Sequence, residues 1–186
     1  MVIMTRIEVK IKGTKPLLMN APNAIGNSDN KKKIKYIPEV EAEAVTYRNG
    51  EGVLCIPALA ILSMMRKSAV NFKAPGRGKK TLKEFVYSGL RIEGDDLIPL
   101  DQQEYVIDSR IVVRNRARVM AWKPRFNEWS LTFVIEIVDD ATWDGSMIRT
   151  VLEDGGKYSG LLDFRPLYGT FEIVSMTDLS TGKPVE

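Results

Sequence analysis

The chain has 186 residues, 44% apolar and 27% charged, with 14 glycines and 9 prolines, so it has the material for one domain with a sizeable core and is not collagen-like, low-complexity or disordered. A single cysteine, Cys55, excludes an internal disulfide and a multi-cysteine zinc site, and the absence of histidine excludes every mechanism that needs an imidazole. The formal net charge is only +3 and by itself says little about partners. The N-terminus is interrupted by Arg6, Lys10 and Lys12, and the longest nearly apolar run, residues 53–65, contains Pro57. Neither suits a signal peptide or a membrane span, so the expectation is a cytoplasmic protein with no membrane partner.

In chain order, residues 3–13 alternate between apolar (Ile3, Ile7, Val9, Ile11) and polar positions, which predicts a half-buried strand. Residues 14–35 are rich in Asn, Gly, Pro and Lys and read as a mobile loop. Residues 39–47 alternate again and predict a strand. Arg48-Asn49-Gly50-Glu51-Gly52 marks a hairpin, with residues 53–56 returning. Pro57 suits the first position of a helix whose apolar face is Ala58, Ile61, Leu62, Met65 and Ala69. A flexible basic loop over 73–80 precedes a short helix at 81–89 and an irregular stretch at 90–101.

Residues 105–122 read as one continuous strand, with Arg110, Arg114, Arg116 and Arg118 at a spacing of two on a shared face. Lys123 to Asn127 turns the chain. Trp129, Leu131, Phe133, Ile135 and Ile137 then form the apolar face of a second strand that would pair with the first. A helix capped by Thr142 or Asp144 buries Met147, Ile148, Val151 and Leu152 and ends at Gly155-Gly156. A last strand spans 168–176, and 178–186 reads as a frayed tail. Together these predict an α+β fold of the ferredoxin-like (RRM-like) βαββαβ kind, with a β-hairpin insertion and long basic loops. The domain would span 1–177, with insertions at 14–56 and 72–103 and the tail at 178–186. The arginine-bearing strand would lie at a sheet edge, its arginines on an open face.

Charge is unevenly distributed. Three segments contain no acidic residue: 31–35 (Lys31, Lys32, Lys33, Lys35), 73–83 (Lys73, Arg77, Lys79, Lys80, Lys83) and 109–127 (Arg110, Arg114, Arg116, Arg118, Lys123, Arg125). They hold 15 of the 27 basic residues, which leaves the other 151 positions at net −12. An acidic body with basic segments is the footprint of a polyanion-binding surface, provided the segments converge.

Four further features carry a family likeness: "KGTKPLLMN" after the first strand, "CIPALAILSMMRKSA", the order of elements, and "GLLDFRPLYGTFEIV". In these the chain resembles the repeat-associated mysterious protein (RAMP) superfamily, which includes backbone subunits of CRISPR effector complexes and related phage and archaeal proteins. The likeness spans roughly residues 3–176. It implies RNA binding within a ribonucleoprotein. Since processing members of that family often use a histidine that this chain lacks, it implies a binding subunit rather than a nuclease.

The residues offer matching chemistry. Arginines two residues apart on a strand stand about 6–7 Å apart, close to the phosphate spacing of an extended single strand. Guanidinium groups can pair bidentately with phosphate and stack on bases. Trp122 and Phe126 at the hairpin tip are candidate stacking groups, Tyr36 a weaker one. The loops carrying Lys31 to Lys35 and Arg77, Lys79 and Lys80 would close over the strand. Trp129 and Phe133 are expected in the core, and Asp163, beside Arg165, is expected to make a local ion pair or a loop bond. The resulting expectation is a non-catalytic binder of single-stranded RNA or DNA, without cofactor or metal, working as a homo-oligomer, a filament or a ribonucleoprotein component. The alternatives are a phage or viral assembly module, and a metal-dependent nuclease using pairs such as Asp95-Asp96 or Asp139-Asp140.

Overall fold

The computed structural model describes residues 4–22, 37–114 and 116–186. The protein is α+β, with antiparallel sheets and, among the described residues, four α-helices. The first strand, β1 (Thr5–Gly13), follows its alternation: Ile7, Val9 and Ile11 are buried, while Arg6, Glu8, Lys10 and Lys12 are exposed. The expected loop that follows is in part a structural strand, since β2 (Leu17–Leu18) is fully buried. Lys31 to Tyr36 lie outside the described residues.

The strand expected over 39–47 is instead a helix, α1 (Pro38–Ala44). Alanine and glutamate are strong helix formers, Pro38 suits the first turn, and Glu39 and Glu41 complement the positive end of the dipole. The alternation misled because only Ala42 of the apolar set is buried; Val40 is exposed. A turn does form at 48–52, with Asn49 Oδ1 accepting from the backbone N–H groups of Glu51 and Val53, but the expected hairpin reduces to a single bridge between Arg48 and Leu54, because its first strand is a helix and its second pairs with a later strand. The turn leads to β3 (Cys55–Pro57) and α2 (Ala58–Ser68), whose face Ala58, Ile61 and Met65 enters the core.

A 3-10 turn (Leu82–Phe85) and α3 (Val86–Gly89) form the short helix. The stretch expected to be irregular holds two strands, β4 (Leu90–Ile92) and β5 (Leu97–Pro99), the latter paired with β3.

The arginine segment is not one strand. β6 (Val106–Arg114) and β7 (Ala117–Phe126) form a hairpin that turns between Arg114 and Ala117, and Arg116 there takes a left-handed φ of 65°. Nor does the hairpin pair with the following strand, β8 (Ser130–Ile137). β7 pairs with β2, giving a separate three-stranded sheet in the order β2-β7-β6, while β8 lies between β1 and β4.

Helix α4 (Gly145–Tyr158) is capped by the Asp144 carboxylate, which accepts from the Met147 N–H. It runs through Gly155 and Gly156 instead of stopping there. Those glycines serve packing: a Cβ on Gly155 would collide with Met64 of α2, and one on Gly156 would meet the Phe171 carbonyl. The last strand is β9 (Phe171–Asp178). The expected tail folds back through Gly182 as β10 (Lys183–Pro184) beside β9.

The main sheet thus has the order β10-β9-β1-β8-β4. Its inner face (Val9, Ile11, Leu131, Phe133, Ile135) shares one core with Ile61 and Met65 of α2 and Ile148 and Leu152 of α4. Trp129 and Phe133 are buried as expected. The outer face carries mixed charges: Arg6 pairs with Glu93, and Glu136 stands between Arg6 and Arg91 in the strand register.

Candidate nucleic-acid interface

The β6–β7 register sorts the hairpin into two faces, because directly opposed residues in an antiparallel pair share a side. One face holds Asp108, Arg110 and Val112 with Val119, Ala121, Lys123 and Arg125. The other holds Ile107, Ser109, Ile111 and Val113 with Arg118, Met120 and Trp122. Arg110 and Arg118 therefore point to opposite sides, and the single row of arginines expected from the sequence does not exist. The turn, which adds two residues between the strands, is the reason.

Arg110 is also not a bare cation. Its Nε and Nη2 donate to the two carboxylate oxygens of Asp108 at 2.6 and 2.8 Å, and Nη2 donates to the Tyr168 hydroxyl at 3.1 Å. Its guanidinium carbon lies 4.5 Å from the Phe164 ring centre and 4.9 Å from that of Tyr168. Arg125 approaches Asp108 at 3.6 Å. The hydrogen bonds from Arg110, helped by both guanidinium charges, hold the Asp108 carboxyl below the usual aspartate range, and the same bonds hold Arg110 protonated.

Lys123 is buried and ion-paired with Asp163, its ammonium 5.0 Å from the Phe164 ring centre. A local ion pair of Asp163 with Arg165 was one expectation; Lys123 takes that place, and Arg165 is exposed with no carboxylate partner among the described residues. Phe126, expected to stack on bases, is 1% exposed and packs against Tyr105 with ring centres 6.0 Å apart. Trp122 is half-buried. Arg116 and Arg118 are exposed and make no ion pair among the described residues, and Arg114 closes β6 opposite Ala117.

The partner of the hairpin base is the loop between α4 and β9. Leu161 N–H donates to the Gly169 carbonyl, Gly169 N–H to Pro16, and Asp163 N–H to Leu18, so the loop is fastened to itself and to the β2 segment. Leu162 and Phe164 take left-handed φ values of 58° and 54°, an uncommon backbone for such side chains. The result presents Phe164, Arg165 and Leu167 outward. Between this loop and the start of α2 lies a cavity of about 350 Å³, lined among others by Asn20, Tyr47, Leu59, Asp163 and Arg165. Burial, with the nearby Asp163 charge, raises the Tyr47 hydroxyl's pKa.

In the 73–83 segment, Arg77 and Lys80 make their contacts away from the hairpin. Arg77 donates to Thr142 at 3.0 Å, approaches Asp139 at 3.5 Å and sits 5.2 Å from the Phe85 ring centre; Lys80 pairs with Glu84. Asp139 and Thr142 lie just past the Ile137 end of β8, whereas β7 ends four residues before the Ser130 start. The base of the arm at Phe126 and the contacts of Arg77 thus adjoin opposite ends of that strand, and among the described residues no ion pair joins the two basic segments. Lys79 is exposed. Lys31, Lys32, Lys33 and Lys35 lie outside the described residues.

No protein-family model matches the chain, and no curated protein does. Among the described residues, no three His, Cys, Asp or Glu side chains come together as a metal site, and no helix is long and apolar enough to cross a membrane. Phe164, Arg165 and Tyr168 were not singled out as site residues by sequence. Their signal was the mixture of aromatic and basic types in Asp163-Phe164-Arg165-Pro166-Leu167-Tyr168, between glycines.

Proposed function

We propose that the protein binds single-stranded nucleic acid, RNA in the first instance, without cleaving it, on a surface made by the β6–β7 arm and the Gly160–Gly169 loop. The observation that carries this reading is the exposed Phe164 ring, backed by Arg110 and Lys123 and neighboured by Arg165, at the root of an arm that holds Arg116 exposed at its turn and Arg118 exposed on the face opposite Arg110. Phosphate contacts fall to the guanidinium groups that have no carboxylate of their own, while Phe164 offers a face for a base. Arg110 and Lys123 hold the aromatic platform in place and do not track the strand.

The fold reading goes with it. Strand order β9-β1-β8-β4, with α2 between the first two core strands in sequence and α4 between the last two, supports a ferredoxin-like βαββαβ core. The β6–β7 arm is then an insertion ahead of the third core strand. A RAMP-like backbone subunit of a ribonucleoprotein is the most specific form of this proposal, resting on the sequence likeness together with that strand order.

Fluorescence anisotropy of a labelled single-stranded RNA at low salt tests the reading. Arg116→Glu with Arg118→Glu is expected to weaken binding by at least about tenfold. Lys79→Glu, in the 73–83 segment, is expected to leave it unchanged. Equal losses from both variants would remove the arm from the site. The protein-interaction alternative has its own observation, the apolar face Ile107, Ile111, Val113 and Met120.

A further inference from the structure

β6 is nine residues long and forms the outer strand of its sheet. Among the described residues its backbone bonds only to β7. The outer strands elsewhere are blunted: β4 and β5 have three residues, β2 and β10 have two, and β10 carries Pro184. Short or proline-bearing edges resist pairing with another chain, whereas β6 has neither proline nor lysine and offers a full row of N–H and C=O groups. One of its faces is also apolar and uncovered, with Ile107 36%, Ile111 64% and Val113 71% exposed.

The sequence of β6 is complementary to itself. From Ser109 outward in both directions, Asp108 matches Arg110, Ile107 matches Ile111, and Val106 matches Val112. Two copies laid antiparallel with their Ser109 residues opposite each other therefore set, over residues 106–112, each charge against its opposite and each large apolar side chain against another. With the two apolar faces kept on one side, the neighbouring symmetric registers set Arg110 against Arg110 or Asp108 against Asp108, and like charges directly opposed are destabilising.

We propose that the protein forms a closed two-fold dimer by antiparallel pairing of β6 with β6 of a second copy, centred on Ser109. The pairing joins two three-stranded sheets into one of six strands. Ile107 of each copy covers Ile111 of the other. Asp108, already held by Arg110 of its own chain, gains the second copy's Arg110, so charges alternate around the axis. Because the same edge serves both copies, assembly stops at two and does not propagate as a filament. The charge pattern selects a second copy of this chain over an unrelated extended peptide.

Sedimentation of nuclease-treated protein at high salt, from about 1 μM to about 100 μM, reads the assembly without nucleic acid as a bridge. The mass is expected to rise and level at two chains. Ile111→Lys is expected to move the midpoint at least about tenfold towards monomer with an unchanged circular dichroism spectrum. Mild oxidation of Ser109→Cys is expected to give a covalent dimer, since directly opposed residues are within disulfide reach and the native Cys55 is buried. Ile111→Cys is not, because its counterparts would stand roughly 13 Å apart along the strands. A single-chain mass at about 100 μM, a mass that climbs past two chains, or equal cross-linking of the two cysteine variants overturns the proposal.

Discussion

Asp108 carries the base of the arm. Its side chain is 9% exposed, it accepts two of the three hydrogen bonds from Arg110, and Arg125, whose Nε is buried without a hydrogen-bond partner among the described residues, approaches it. Removing one member of such a group leaves the others uncompensated. Asp108→Asn is expected to cost about 2 kcal/mol in urea denaturation, less than for a fully buried pair because Arg110 and Arg125 reach solvent. The pH dependence has a definite sign. The folded carboxyl titrates below its unfolded value of about 3.9, so its contribution is present above that pH and lost as pH falls through the folded value. The wild type should lose stability on acidification in that window, and Asp108→Asn should lose less.

Tyr105 behaves in the opposite sense. Burial, with the hydrogen bond to Glu43, pushes its hydroxyl up to about 12. Its contribution is complete below about 10 and lost as pH rises towards the folded value, so Tyr105→Phe should flatten alkaline denaturation. At this scale the sequence was half legible. The run of arginines stood out, but the acid-free segment begins at Ser109, one residue after the carboxylate that neutralises its first arginine. Phe164 and Tyr168 were invisible as partners because they lie more than fifty residues further on, and only the tertiary fold brings them to Arg110.

At the scale of elements, periodicity read well where one face is buried and the other wet. β1, α2 and α4 follow their patterns because Ile7, Val9 and Ile11, or Ile61 and Met65, have a single core to face. It failed in the arm, where both faces of the tip are exposed and nothing apolar marks a change of direction. The connection through Asn115-Arg116 lacks the glycine that usually announces a two-residue hairpin. The glycine pair in α4 misled for a related reason, as glycine serves close packing as well as helix ends. Gly156→Ala is expected to destabilise by about 2 kcal/mol in thermal or urea denaturation, since overpacking against the Phe171 carbonyl outweighs a gain of about 1 kcal/mol in helix propensity. Phe164→Ala should weaken RNA binding by about 1–3 kcal/mol while the main sheet stays intact, the loss expected for one stacked base.

For the whole molecule, the charge asymmetry is real in sequence, but the fold engages the 73–83 segment and the arm differently. Two segments of like charge that look equivalent along the chain differ in space. The 73–83 loop spends Arg77 and Lys80 on Asp139, Thr142 and Glu84, while the arm keeps Arg116 and Arg118 outward. The order of core elements was read with the wrong second strand, 105–122, because β4, three residues long, is too short to show an apolar pattern of its own. The separate sheet was not legible either, since the pairing of β7 with Leu17 and Leu18 depends on contacts more than a hundred residues apart. The most direct measurement is the salt dependence of single-stranded RNA binding by anisotropy. Arg116, Arg118 and Arg165, which make no ion pair among the described residues, should give a slope of log affinity against log salt of roughly −2, reduced to about −0.7 in Arg116→Glu with Arg118→Glu. No binding at low salt, a slope unchanged by that variant, or Mg²⁺-dependent cleavage of the probe would contradict a non-catalytic nucleic-acid arm.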